Sequence, residues 1–465
     1  MFLADASPYV SAPAWLNSGD NAWQLTAATF VGIQSIPGLA ILYGGLVKKK
    51  WALNSAVMCF YAFSIVLVVW MLWAYNMSFG APINFGSGAP AWASQILGIP
   101  HWATTPDYEL GQSNIPLAAG GLPALRFSGA AMIFFQFVFA AITPILIAGS
   151  VFARMNFKAW MLFVPLWTTL VYTVGAFALW GGGWLAQMGA LDYSGGYVIH
   201  LAAGVSGFVA AAVVGPRLLE DRKDFEPNNL IMALAGAGLL WLGWNGFNGG
   251  DPYTSNADAA AAVLNTNIAT AIALLSWLIL DMFAVGKPNA VSMINGMITG
   301  LVGITPCAGY VDGFGAMAVG LICGCVAWFA LNKVGQLSFF KRVDDTFGVW
   351  ATHGVAGFMG GMCVGLFSNP DMIEYLSNDK KTSPISATGL FFGNPKQLWI
   401  QFLAALFIIV YDAIMTFVVL KIVSLVVPLR ASDAEVEDGD LAIHGIDPMP
   451  TYIGNRPATG GAMGS

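Results

Sequence analysis

DYSGGYVIHLAAG (residues 192–204) and DTFGVWATHGVAG (residues 345–357) both fit the pattern D-x2-G-x4-H-x3-G. Each copy places one histidine, His200 or His353, inside an apolar run. An ionisable side chain in an apolar span is costly and marks a pathway more often than a packing site. One buried histidine could simply bond a backbone carbonyl. Two at matching places in a repeat point instead to a pair that meets at the centre of a bundle. The other two histidines, His101 and His444, lie in polar segments.

Outward from the repeat, the chain is a succession of apolar stretches. A helix needs roughly 20 apolar residues to cross the hydrocarbon core of a bilayer. By that rule the spans are 22–47, 52–79, 127–152, 158–180, 196–216, 229–248, 261–284, 290–306, 313–332, 349–367 and 397–427. The two copies of the motif fall at the fifth and tenth of these eleven. Five spans apart, they run in opposite directions through the membrane, the sequence mark of an inverted-topology repeat. The expected fold is therefore all-α: a polytopic membrane protein of eleven transmembrane helices with a five-plus-five inverted repeat. Residues 1–21 are expected to be an extracytoplasmic segment, 22–427 the membrane domain and 428–465 a cytoplasmic tail.

Composition agrees. Of 465 residues, 57% are hydrophobic and 9% charged, where soluble domains carry about 25% charged residues. The mean hydropathy is +0.68. Such a chain cannot clothe three soluble domains in water, and it is too apolar to be disordered. A net charge of −6 with no basic stripe excludes a nucleic-acid binder. The five cysteines, Cys59, Cys307, Cys323, Cys325 and Cys363, are odd in number and mostly sit in apolar runs, so they form no disulfide framework. The pair Cys323 and Cys325 reads as packing rather than as a metal site. No basic n-region precedes the first span, so no ordinary signal peptide is expected.

Lysine and arginine set the orientation. Fifteen of the 19 fall on one set of loops and the tail: Lys48, Lys49, Lys50, Arg154, Lys158, Arg217, Arg222, Lys223, Lys287, Lys333, Lys341, Arg342, Lys421, Arg430 and Arg456. Arg126, Lys380, Lys381 and Lys396 fall on the other. The N-terminus is expected outside and the C-terminus in the cytoplasm. The polar, acidic tail reads either as a disordered end or as an arm that docks on the loops or on a regulator.

Asp192 and Asp345 each stand eight residues before a histidine, at a helix start. A carboxylate there caps the helix and complements its dipole. Asp192, on the outer side, could also lend a negative field to a cation. The two imidazoles are expected to share a proton and stay neutral, because two imidazolium ions side by side repel.

Six stretches carry a family resemblance: PGLAILYGGL (37–46), FFQFVFAAITP (134–144), WGGGWLAQMGALDYSGGYVIH (180–200), GWNGFNGGDP (243–252), GLVGITPCAGY (300–310) and DDTFGVWATHGVAG (344–357). They resemble the ammonium transporters of the Amt/Mep/Rh superfamily, in their bacterial Amt type, over roughly 22–427. The resemblance implies a non-enzymatic transporter without cofactor, a homotrimer with one pore per subunit, placed in a cell inner membrane. It implies that Phe135 and Phe247 are the stacked pair closing the outer vestibule. By the same resemblance Trp180 is implied as the aromatic wall of an external ammonium site and Asp192 as the structural acid near it. His200 and His353 resemble the twin histidines of the family's pore, with Trp244 and Thr305 implied on its wall. Two departures stand out. Bacterial members carry Ser at the place of Asp251, whose carboxylate here either attracts ammonium or caps the turn before Pro252. Many members also have a Glu-Arg pair where this chain has Ala153-Arg154. The tail segment DLAIHGID resembles the family's cytoplasmic tail, which in bacterial members pairs with a PII-type regulator. Two other readings remain open: an ammonium-sensing receptor with little flux, and an Rh-type gas channel, which the aromatic Trp180 disfavours.

Overall fold

The computed structural model describes residues 12–84, 91–115, 125–223, 226–372, 387–448, 452–453 and 456–457. Lys380 and Lys381, two of the cations assigned to the less basic loops, lie outside the described residues. The architecture is helical, as expected. Among the described residues the only strands are Tyr452–Ile453 and Arg456–Pro457, paired antiparallel in the tail.

Nine helices among the described residues are long and apolar enough to cross a membrane. They are Ser18–Leu46, Lys49–Phe79, Gly129–Val151, Phe157–Met188, Gly196–Val214, Leu230–Gly249, Ala257–Ala284, Gly313–Gln336 and Pro395–Ser424. The two other predicted spans fall on shorter helices. One is Ala290–Ile304, with 15 residues. The other is Trp350–Val355 continued by Ala356–Phe367. The difference is physical: these two are rich in Gly, and the second carries His353 and Thr352, which dilute its apolar character. Gly129–Val151 is the central helix, almost wholly buried by its neighbours. Others turn one apolar face outward: Leu67, Val68 and Leu72, Leu264, Leu275 and Ile279, and Val410, Ile414 and Phe417 are exposed. In a chain of this composition such faces require lipid or another copy. All five cysteines are free thiols.

The two motif copies have the same local build. In each, the first Gly takes a left-handed conformation at the helix start, Gly195 with φ 110° and Gly348 with φ 67°. A side chain there would be strained. In each, a π-helical turn follows, Gly196–Leu201 and Trp350–Val355, and carries the histidine. Such widened turns are frequent at functional sites. The second Gly lets the two helices touch. A Cβ on Gly204 would lie 2.2 Å from Gly354 Cα, and one on Gly357 would lie 2.6 Å from Gly196 O.

One end of the bundle gathers the basic loops. Lys48 and Lys50 pair with Asp221 at 2.9 and 3.4 Å. Arg217 grips Asp344 in a two-pronged contact at 2.9 and 2.7 Å. Burial pushes the Asp344 carboxyl upward, but the Arg217 guanidinium, with Arg154 beyond it, holds it below the ordinary value. Arg154, beside Ala153 with φ 68°, is buried. It donates to Gly215 O, Phe152 O, Thr346 Oγ1 and Asp344 O. Lacking the neighbouring Glu, Arg154 holds this end through carbonyl and hydroxyl oxygens.

The tail packs on the same end. Ala431 N–H donates to Arg154 O and Asn156 N–H to Leu429 O, both at 2.9 Å. Asp433–Asp438 starts with a capping box between Ser432 and Glu435. Asp440 then accepts from Leu53 N–H at 2.8 Å and Asn54 N–H at 2.7 Å. It caps the first turn of Ala52–Val69 from 386 residues away along the chain. His444 Nε2 meets Asn54 Oδ1 at 3.0 Å. Of the two readings of the tail, the docked arm is the one observed over 428–448.

Gly204→Val should lower the thermal unfolding midpoint through overpacking that costs about 1–3 kcal/mol, whereas Gly238→Ala, inside a helix with open space around it, should not lower it. Asp440→Ala should loosen the tail by about 1 kcal/mol. Limited proteolysis reads this out as faster cleavage within 433–448 with the helical bundle intact.

Candidate functional site

Each histidine is delivered by a capped helix start. Asp192 Oδ1 accepts from Gly195 and Gly196 N–H at 3.1 and 2.6 Å. Its Oδ2 accepts from Tyr197 and Val198 N–H at 2.9 and 3.0 Å. Those four donors are the orphan amides of a helix N-terminus, and one carboxylate satisfies them all. Asp345 Oδ2 does the corresponding work for Trp350 N–H at 2.8 Å. Both oxygens of Asp192 are thus committed to the helix start.

His200 and His353 meet, with Nδ1 to Nδ1 at 3.3 Å. Both are buried, at 0% and 5% exposure. A bond between two Nδ1 atoms needs a proton on one and a lone pair on the other. The two rings therefore take different tautomers, and a doubly protonated pair would set two N–H groups face to face. His200 Nε2 is buried with no hydrogen-bond partner among the described residues. A buried polar atom of this kind is expensive unless something visits it.

Aromatic rings cover His200. Trp244 stacks on it at 5.2 Å and Phe247 at 5.8 Å, and Trp244 and Phe247 stack on each other at 4.8 Å. Trp244 Nε1–H donates to Thr305 Oγ1 at 2.8 Å, and Thr305 Oγ1–H donates to Leu301 O at 2.7 Å. Thr305 fixes the indole, which in turn fixes the imidazole wall. Trp180, half-buried, donates from Nε1 to Asp192 O at 2.7 Å.

The expected pairing of Phe135 with Phe247 needs correction. The ring packed on Phe247 is Phe139, at 4.4 Å. Phe135 packs on the other side of Phe139, at 4.7 Å, and against Tyr253 at 6.1 Å. Phe139 also presents its edge or face to Trp180 at 6.3 Å. The run FFQFVF puts Phe135 and Phe139 one turn apart on one helix face, so the spacing held the signal for both. Asp251 sits beside this cluster, 8% exposed, with Oδ2 against Ser194 Oγ. Ser194 was also missed, although it lies inside the repeat motif. The structure thus brings Trp180, Phe135, Phe247, Asp251, Asp192, Trp244, Thr305 and both histidines into one connected region.

The model of the Ammonium Transporter Family matches residues 22–447. The chain belongs to that family. It is 50% identical over 442 residues to ammonium transporter 3 member 3 of Oryza sativa subsp. japonica, covering 94% of this chain and 90% of that protein. It is 49% identical over 439 residues to ammonium transporter 2 of Arabidopsis thaliana, covering 93% and 88%. Among solved structures, Saccharomyces cerevisiae Mep2 superposes with a TM-score of 0.77 at 26% identity, covering 91% of this chain and 90% of that one. These curated relatives are plant proteins, so a bacterial subtype and a bacterial inner membrane find no support in them. Family membership places this chain among multi-pass, non-enzymatic ammonium transporters.

Asp192→Ala should cost about 2–4 kcal/mol, since it strips four backbone donors of a charged acceptor. Asp192→Asn should cost less. Thermal unfolding of the detergent-solubilised protein measures both.

Proposed function

We propose that this family member recruits ammonium at the aromatic cluster, removes a proton from it, and passes ammonia along the imidazole pair. The supporting observation is the buried Nδ1 to Nδ1 contact roofed by stacked aromatic rings. Trp180, Phe139, Phe135 and Phe247, with Asp251, form the outer site and its gate. His200, His353, Trp244 and Thr305 line the pore, and Asp192 supports the site without binding the ion directly.

Magnitudes favour deprotonation over carriage of the bare ion. Moving a small ion into a low-dielectric interior costs on the order of 20 kcal/mol before relaxation. A desolvated cation–π contact returns about 2 kcal/mol. Ammonium titrates about two units above neutral, so losing its proton costs roughly 3 kcal/mol. Rings can hold ammonium at a partly wet mouth, but they cannot carry it across. Ammonium has four N–H donors and potassium has none, so acceptor geometry rather than size separates the two. A fixed cation would oppose passage at mid-depth, and a neutral His pair does not.

In this reading eleven spans cross the bilayer as two inverted halves over 22–427. Residues 1–21 lie outside and the tail from 428 lies in the cytoplasm, as the lysine and arginine count requires. The exposed apolar faces suit a homotrimer set in lipid, with a cytoplasmic PII-type partner for the tail.

An ammonium pulse on proteoliposomes should drive uptake. An equal potassium pulse producing equal flux or current would sink the selectivity. His200→Ala should abolish transport or make it unselective; an unchanged ammonium-specific flux in that variant would defeat the role of the pair.

A further inference from the structure

Ser194 has one hydroxyl proton and two acceptors in front of it. Its Oγ lies 2.8 Å from Phe247 O and in close contact with Asp251 Oδ2. An ionised Asp251 would leave one of these contacts as oxygen against oxygen with no proton between them. A protonated Asp251 satisfies both: its O–H donates to Ser194 Oγ, whose own O–H donates to Phe247 O. Asp251 keeps 8% of its surface exposed. The carboxyl can therefore be approached while resting on Ser194.

The groups around it favour that state. Asp192, the charged neighbour, has both oxygens committed to backbone amides. Tyr172, the other titratable neighbour, has a buried hydroxyl with no partner among the described residues. No positive side chain pairs with Asp251 among the described residues. Burial pushes its carboxyl well above the ordinary carboxylate value; the Ser194 contact offsets part of this and Asp192 adds to it.

We propose that Asp251 makes the outer site a proton–ammonium exchange site: its carboxyl holds a proton at rest and releases it to the external water when ammonium binds. The O–H bond of Asp251 breaks and the proton leaves to solvent. The carboxylate then accepts an N–H of ammonium, and the site's net charge is the same before and after. This inference rests on the outer site described under the proposed function. It explains why an acid can replace a hydroxyl there without leaving a bare buried charge in the resting protein.

Exchange predicts competition. Initial ammonium uptake into proteoliposomes should be measured against concentration between about pH 4.5 and 8, a range over which ammonium itself stays protonated. On the acid side of the Asp251 titration, the half-saturating concentration should rise about tenfold per pH unit with an unchanged maximal rate. Asp251→Ser and Asp251→Asn should flatten that dependence. A flat wild-type profile, or an equal slope in the variants, overturns the proposal. Infrared difference spectra of the wild-type protein give a readout free of flux. Ammonium should remove a protonated-carboxyl band that shifts in deuterium oxide, equal potassium should leave it in place, and Asp251→Asn should lack it. A band that ammonium does not affect overturns the exchange. A band that ammonium removes in a protein without ammonium-selective flux keeps the exchange and overturns the transport reading instead.

Discussion

Two helices touch without side chains between them, and the candidate site follows from that contact. Gly204 lies against Gly354, and Gly357 against the start of the helix that carries His200. With the backbones this close, two imidazoles that come from opposite halves of the sequence are brought to 3.3 Å. Small residues allow such approach in membrane bundles, where no hydrophobic drive pushes helices together. The two aspartate caps make the arrangement repeatable, since each fixes where a helix begins and so where its histidine falls.

The basic end of the bundle is knit by a different chemistry. Arg154 binds carbonyl and hydroxyl oxygens, Arg217 binds Asp344, and the tail adds backbone pairs to the same strip of chain. Thr346, held by Arg154, is one residue after the cap Asp345. A short chain of hydrogen bonds and neighbouring residues therefore joins the docked tail, the arginine cage and the helix of His353. Polar networks of this kind fix geometry more than they add stability.

Much of this was legible in the residues. Apolar runs and the sparse charge announce a membrane bundle, and the duplicated D-x2-G-x4-H-x3-G motif announces the paired histidines. Other features were not legible, for identifiable reasons. The span expected at 290–306 is two residues shorter, and the one at 349–367 keeps its length but is less apolar, because Gly, Thr352 and His353 dilute it. Phe135 and Phe139 are equivalent in type and lie one turn apart, and only packing tells which ring reaches Phe247. Ser194 was passed over because a lone hydroxyl carries no pattern; its importance comes from Asp251, 57 residues further along the chain. Docking of the tail was one of two readings, but its contacts were not legible, because Asp440 meets its partners, Leu53 and Asn54, across nearly the whole sequence.

The glycine contact has one further consequence. Where main chain rests on main chain, no rotamer can swing aside to make room. The spacing beside His200 is consequently a rigid gauge, set by peptide dimensions rather than by adjustable side chains. The separation of the two imidazoles is therefore held by main chain alone, and no side-chain repacking at that crossing can relax it.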